Sequence, residues 1–194
     1  MGHNWPVRLV GSKMPRLYLV RHAKIASSED PDPGLADVGH AQAEAIGAAL
    51  AARGPLPIFT SPFRRARETG APLARLWGVT LHTDARFGEI PVRPDSEFRS
   101  RSEWLKYVRA RRWPEMHESL RCWRDQVLQA LLEIPADAVV VSHFVAINVA
   151  VGHALHDDRV TCFQPENCSC TVLDSDGKDL RLIELGAEGE SRVK

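Results

Sequence analysis

The chain has 194 residues with 25 basic and 25 acidic side chains, so its formal charge is zero. Nothing global therefore attracts it to nucleic acid or to an anionic membrane. A hydrophobic share of 44% beside 26% charged residues suits one soluble domain, able to bury roughly 70% of the surface its unfolded form would expose.

No apolar stretch approaches the length of a membrane span, and residues 1–13 lack the long apolar core of a secretory signal. The expectation is a cytoplasmic protein in which residues 1–13 form an N-terminal extension and 14–194 a single domain. Reduced thiols are the default for its four cysteines. Cys162, Cys168 and Cys170 could gather with His153 or His156 around zinc, but their spacings fit no paired Cys-x-x-Cys arrangement. The expectation is no metal and no cofactor.

Short apolar runs alternate with amphipathic stretches, which predicts an α/β fold, three layers (α/β/α) around a mainly parallel central sheet. The first strand is expected over Arg16–Val20. A loop rich in Ser, Asp and Pro (27–34) leads to a helix over Asp37–Arg53, with Ala41, Ala45, Ala49, Ile46 and Leu50 on its inner face and Gly54 as its stop. Pro57–Thr60 reads as a strand. Ser61 is placed to cap a helix that starts at Pro62 and runs to Leu76. Val79–Thr83 makes a third strand.

The alternation then breaks. Residues 93–113 read as an insertion with one short helix over Glu103–Arg109, followed by a helix over Glu118–Glu133 with Leu120, Trp123, Val127 and Leu131 inward. Ala138–Val141, apolar throughout, is a central strand, and a helix over Val145–Leu155 follows it. Thr171–Leu173 and Leu180–Leu185 flank Asp176-Gly177, a two-residue turn signal for a terminal hairpin.

In an open α/β sheet, ligands bind beyond the carboxyl ends of the parallel strands. Arg21-His22 follows the first strand, Ser61–Arg65 the second, and His143 the Val-rich strand, so all three reach one edge. A guanidinium binds phosphoryl oxygens in a bidentate fork and an imidazole offers a nitrogen nucleophile, so a phosphorylated small molecule is the expected ligand. A helix start at Ser61-Pro62 would add unpaired N–H groups at the same edge.

The tetrapeptide Val20-Arg21-His22-Ala23, the run Ser61-Pro62-Phe63-Arg64-Arg65-Ala66-Arg67-Glu68-Thr69, the loop Phe87-Gly88-Glu89-Ile90 and Val141-Ser142-His143 occur in one order. With Leu35–Ala43 at the first helix and Asn167-Cys168-Ser169 before the late strand, they resemble the histidine phosphatase superfamily, also called phosphoglycerate mutase-like, over about Arg16–Leu185. The resemblance implies His22 as nucleophile and Arg21, Arg65 and His143 as ligands of the phosphoryl oxygens. It selects Arg65 over Arg64 by the spacing that ends on Thr69. Glu89 is the implied acid and base, with Glu68, Asp84 and Glu97 as neighbouring alternatives. Ser28 sits at the offset from which many relatives give a hydroxyl to the phosphate, though a loop Ser also simply makes turns.

Two positions depart from the family pattern. Arg-His-Gly reads Arg-His-Ala here, and Ser-His-Gly reads Ser-His-Phe, where Phe144 would narrow the pocket or stack on the leaving group. Lys24-Ile25-Ala26-Ser27-Ser28 stands in place of the longer mutase motif, which points to the phosphatase branch. A mutase-type phosphotransferase, a protein phosphohistidine or phosphotyrosine phosphatase, and a catalytically silent scaffold are the alternatives. The sequence leaves substrate and oligomeric state open. Nine basic residues against five acidic ones over Arg93–Arg124 would suit an anionic leaving group if that segment covers the pocket; a solvated surface helix reads equally well.

Overall fold

Alternate side chains of the first strand enter two different cores, and this sorts the whole molecule into layers. The computed structural model describes residues 14–27, 30–92, 97–98 and 100–189; the expected extension over 1–13 lies outside them. Strand β1 (Arg16–Arg21) sends Leu17 and Leu19 to one side of the sheet and Tyr18 and Val20 to the other. Strand β4 (Ala138–Ser142) divides in the same way, Ala138 and Val140 against Val139 and Val141. Both strands are buried on both faces, which is why their apolar runs are nearly continuous.

The sheet has six strands in the order β3-β2-β4-β1-β5-β6, with β2 at Ile58–Thr60, β3 at Leu81–Thr83, β5 at Cys170–Ser175 and β6 at Leu180–Glu184. Strands β1 to β4 run parallel, and β5 and β6 are antiparallel additions beside β1. Helices α1 (Asp37–Leu50) and α2 (Arg64–Trp77) serve the core of Tyr18, Val20, Ile58, Leu73 and Val141. Helices α3 (Arg101–Arg109), α4 (Glu118–Leu132) and α5 (Phe144–Leu155) supply the larger core on the opposite face. This is the expected three-layer α/β/α fold, and α4 turns Leu120, Val127 and Leu131 fully inward with Trp123 half-buried.

Three local expectations fail, each for a physical reason. Ala41, Ala45 and Ala49 are exposed on α1, and its inner face is Gly39, Ala43, Ile46, Gly47 and Leu50. Alanine occurs all round this helix, whereas close approach requires glycine: a methyl on Gly39 would lie 2.1 Å from the Lys24 carbonyl oxygen, and one on Gly47 would lie 3.3 Å from the Leu73 nitrogen of α2. The Asp176-Gly177 turn is a four-residue loop, because Ser175 pairs with Leu180. Asp176 Oδ1 accepts the amides of Lys178 and Asp179 there, and Gly177 takes the positive φ of 83°.

The third concerns Ser61. Helix α2 begins at Arg64, not at Pro62, and Ser61 does not cap it. The Arg64 amide donates instead to Asp32 Oδ1 from the Pro-rich loop. The loop is held further by the Leu35 amide on Glu68, whose other oxygen pairs with Arg64 within α2.

Candidate active site

Parallel pairing of β1 with β4 places Arg21 opposite Ser142, so Arg21-His22 and Ser142-His143 leave the sheet side by side. The backbone at His22 is then fixed from several directions. Its amide donates to the Ser142 carbonyl (2.9 Å), and its carbonyl accepts from Asn167 Nδ2 (2.7 Å). The Ala23 amide donates to Thr69 Oγ1, whose hydroxyl donates to the Arg65 carbonyl, tying the strand end to α2. The segment Asn167-Cys168-Ser169 exchanges backbone hydrogen bonds with Arg21. Asn167 and Thr69 thus act as backbone supports, visible in the sequence only as parts of longer motifs.

The His22 ring lies 2.8 Å, through Nδ1, from the Ala23 carbonyl oxygen. A carbonyl only accepts, so Nδ1 carries the proton and Nε2 keeps its lone pair. Burial pushes the imidazole pKa down to about 3; the Ala23 hydrogen bond opposes this, while Arg21, Arg65 and Arg101 reinforce it. The ring is neutral at ordinary pH.

His143, at the N-cap of α5, is fully buried, with its ring centroid 5.1 Å from that of His22. Its Nε2 lies 2.7 Å from Ser61 Oγ, and Phe63 packs edge-on at 5.3 Å. Ser61, expected only as a helix cap, is therefore a partner of the second histidine. The Nδ1 of His143 has no hydrogen-bond partner among the described residues, and the same is true of Arg21 Nε. Burial also holds His143 well below the usual imidazole range, helped by His22 and the arginines.

Glu89 is buried at the foot of α5. Its Oε1 accepts the amides of Ile90 (3.0 Å) and Val145 (3.1 Å), and Ser142 Oγ donates to the Phe87 carbonyl to anchor the same loop. Burial raises the carboxyl pKa, opposed by those two amides and by Arg101 and Arg21. Two donors on Oε1 leave Oε2 as the oxygen able to carry a proton. Of the alternatives, Asp84 pairs with Arg86 and Glu68 with Arg64, and Glu97 is exposed.

Arg65, the second residue of α2, is buried with its guanidinium 4.4 Å from the Phe63 ring centre and Nη1 3.9 Å from Asp32 Oδ1. Arg21 donates from Nη1 to the Pro165 carbonyl at 2.8 Å. Arg21, His22, Arg65 and Glu89 open on a cleft of about 820 Å³ whose far wall is the α3 face Arg101, Leu105 and Arg109, beside Phe144. His143, fully buried beside His22, is not among the residues that line this cleft. Ser28 lies outside the described residues.

Phe144 is almost wholly buried and carries two guanidiniums, Arg21 at 5.2 Å and Arg109 at 3.8 Å from its ring centre. Arg101 and Arg109 had no individual role in the sequence; their i, i+8 spacing with Leu105 between them was the available signal. The cysteines do not assemble. Burial pushes Cys162 up to about 11 and Cys168 and Cys170 up to about 12. Among the described residues no three His, Cys, Asp or Glu side chains gather as a metal-binding group. Nor is any helix among them long and apolar enough to cross a membrane.

The model of the histidine phosphatase superfamily (branch 1) matches residues 17–188. The chain belongs to that superfamily. A probable phosphoglycerate mutase of Yersinia pestis is 26% identical over 185 residues, covering 83% of this chain and 85% of its own. A PE-PGRS family protein of Mycobacterium tuberculosis is 47% identical over 69 residues, which is 35% of this chain but 12% of that protein. Among solved structures, a mycobacterial glucosyl-3-phosphoglycerate phosphatase superposes with a TM-score of 0.71 at 20% identity, covering 91% of this chain and 100% of its own. A phosphoserine phosphatase from Entamoeba histolytica, in complex with 3-phosphoglyceric acid, gives 0.69 at 20% identity over 90% of this chain and 98% of its own. These two likenesses show the fold. Membership and the His143–Ser61 arrangement make this an enzyme site of the phosphatase or mutase kind.

Acid should act on this site with a defined sign. An unfolded imidazole takes up a proton near 6.5, and native His22 refuses it down to about 3. The unfolded state therefore binds more protons across that interval, and stability is lost as pH falls through it. Urea unfolding between pH 6.5 and 4 should lose less stability in His22→Gln than in the parent, by up to about 1 kcal/mol per pH unit. Parallel pH profiles would mean that His22 titrates normally in the folded protein.

Proposed function

We propose that the chain is a phosphomonoesterase that hydrolyses a phosphorylated small molecule through a covalent phosphohistidine at His22. One observation carries this reading: a neutral imidazole with its proton fixed on Nδ1 stands at the end of β1 in the field of the half-buried Arg21 and the buried Arg65. Nε2 of His22 forms the P–N bond as the ester P–O bond breaks, and Glu89 gives its proton to the departing oxygen. Glu89 then takes a proton from water, whose oxygen bonds to phosphorus as the P–N bond breaks, and phosphate leaves a neutral His22.

Arg21 and Arg65 hold the non-bridging oxygens, where most of the catalysis of phosphoryl transfer resides. Arg21 Nε and His143 Nδ1 are buried polar atoms flanking His22 with no partner among the described residues, and phosphoryl oxygens would supply one. Because the guanidiniums supply the positive field, the reaction needs no metal or cofactor. Residues 14–194 act as one unit, with 93–113 as an insertion that contributes α3 to the cleft wall. Two of the similar solved proteins are named phosphatases, and the mutase-type motif after His22 is absent here, so hydrolysis is favoured over phosphotransfer.

Rapid quenching with a labelled aryl phosphate should trap an acid-labile, base-stable phosphoenzyme, with or without a chelator. His22→Ala should abolish it. Label on another residue, or turnover that disappears with the chelator and returns with a metal, would reject the mechanism. No label and no turnover on a panel of phosphate esters would favour the silent scaffold.

Glu89→Gln should slow the phosphorylation step by roughly 10²- to 10⁴-fold for alkyl esters, whose oxygen needs a proton to depart. Aryl esters with good leaving groups should be slowed much less in that step. Equal losses for both classes in single-turnover measurements would remove Glu89 from the role of acid.

A further inference from the structure

Phe144 occupies a position where the family pattern has glycine, and its ring is not an idle wall of the cleft. It stands at the first position of α5, directly after His143, and is almost wholly buried. The Arg21 guanidinium lies 5.2 Å from its centre, within the range at which the negative face of an aromatic ring attracts a cation.

Arg21 needs such support. Burial and the like charge of Arg109 both disfavour its charged form, and the field of Glu89 opposes them. The hydrogen bonding of its guanidinium among the described residues amounts to one bond, Nη1 to the Pro165 carbonyl, while buried Nε has no partner. None of the described carboxylates lies in ion-pair contact with it. A single hydrogen bond does not fix a planar group with five donors. The ring supplies a second point of contact that costs no acceptor, so the remaining donors stay available to a phosphoryl group.

Resting on the phosphatase reading above, we propose that Phe144 is a positioning residue: its ring holds Arg21 aimed at the phosphoryl pocket before substrate arrives. A glycine there would leave the guanidinium to be ordered when phosphate binds. Arg109 shares the ring at 3.8 Å and is held by Gln164 Oε1 at 2.6 Å, so α3 docks on the same side chain.

Fluorination drains the negative face of an aromatic ring while nearly keeping its shape, and so separates electrostatic support from packing. Mono-, di- and trifluorinated phenylalanine at position 144 should weaken binding of inorganic phosphate progressively, as read by calorimetry. The end of the series and Phe144→Leu should fall roughly three- to thirtyfold below the parent. Phe144→Trp should bind like the parent, and kcat/KM for an aryl phosphate should decline in the same order. The gradient should persist in an Arg109→Met background, which isolates the contact with Arg21.

A flat fluorination series, whatever Phe144→Leu does, would reduce Phe144 to packing. A gradient that vanishes with Arg109→Met would move the effect to α3. Either result overturns the proposal. Phosphate binding is measured without turnover, so failure of the phosphohistidine mechanism would appear in the quench experiment and leave this test intact.

Discussion

The register of one parallel strand pair governs everything at this site. Because Arg21 sits opposite Ser142, the next residues on the two strands, His22 and His143, emerge as neighbours with ring centroids 5.1 Å apart. A slip of β1 by one residue against β4 would turn β1 inside out, exchanging the faces of Leu17 and Leu19 for those of Tyr18 and Val20. The two apolar cores therefore lock the histidines in place. Each buried Val, Leu or Ile contributes about 1.5–3 kcal/mol, so the register is heavily determined before any polar contact is counted.

The polar contacts decide protonation, and they do so with few groups. The Ala23 carbonyl fixes the tautomer of His22, and Ser61 engages Nε2 of His143. Burial drives both rings towards neutrality and Glu89 towards its protonated form. The proposed ester cleavage requires a neutral nucleophile and a proton-bearing carboxyl, and one physical cause, desolvation, favours both. The arginines keep the cleft positive without neutralising the carboxyl through contact.

Strand and helix identities were legible in the sequence because apolar runs and amphipathic periods act locally. The grouping of the candidate site residues was legible because the resemblance attaches residue types to strand ends, and the fold brings those ends to one edge. What escaped depends on tertiary distance. The inner face of α1 carries glycine at positions 39 and 47 because the Lys24 carbonyl and α2 come close, which no periodicity announces. Ser61 has the composition of a helix cap, and only the position of His143 across the sheet shows its actual partner. Phe144 read as bulk, and its two cations come from β1 and α3, segments remote in sequence. Ser28 and the extension over 1–13 fall outside the described residues.

The central claim is that phosphorus changes partners twice, first to His22 and then to water. Stereochemistry at phosphorus counts those displacements directly. A phosphorothioate ester chiral through oxygen isotopes, hydrolysed in isotopically heavy water, should give product with net retention of configuration, since two in-line displacements each invert. Net inversion would mean a single attack by water on the ester and would contradict the account.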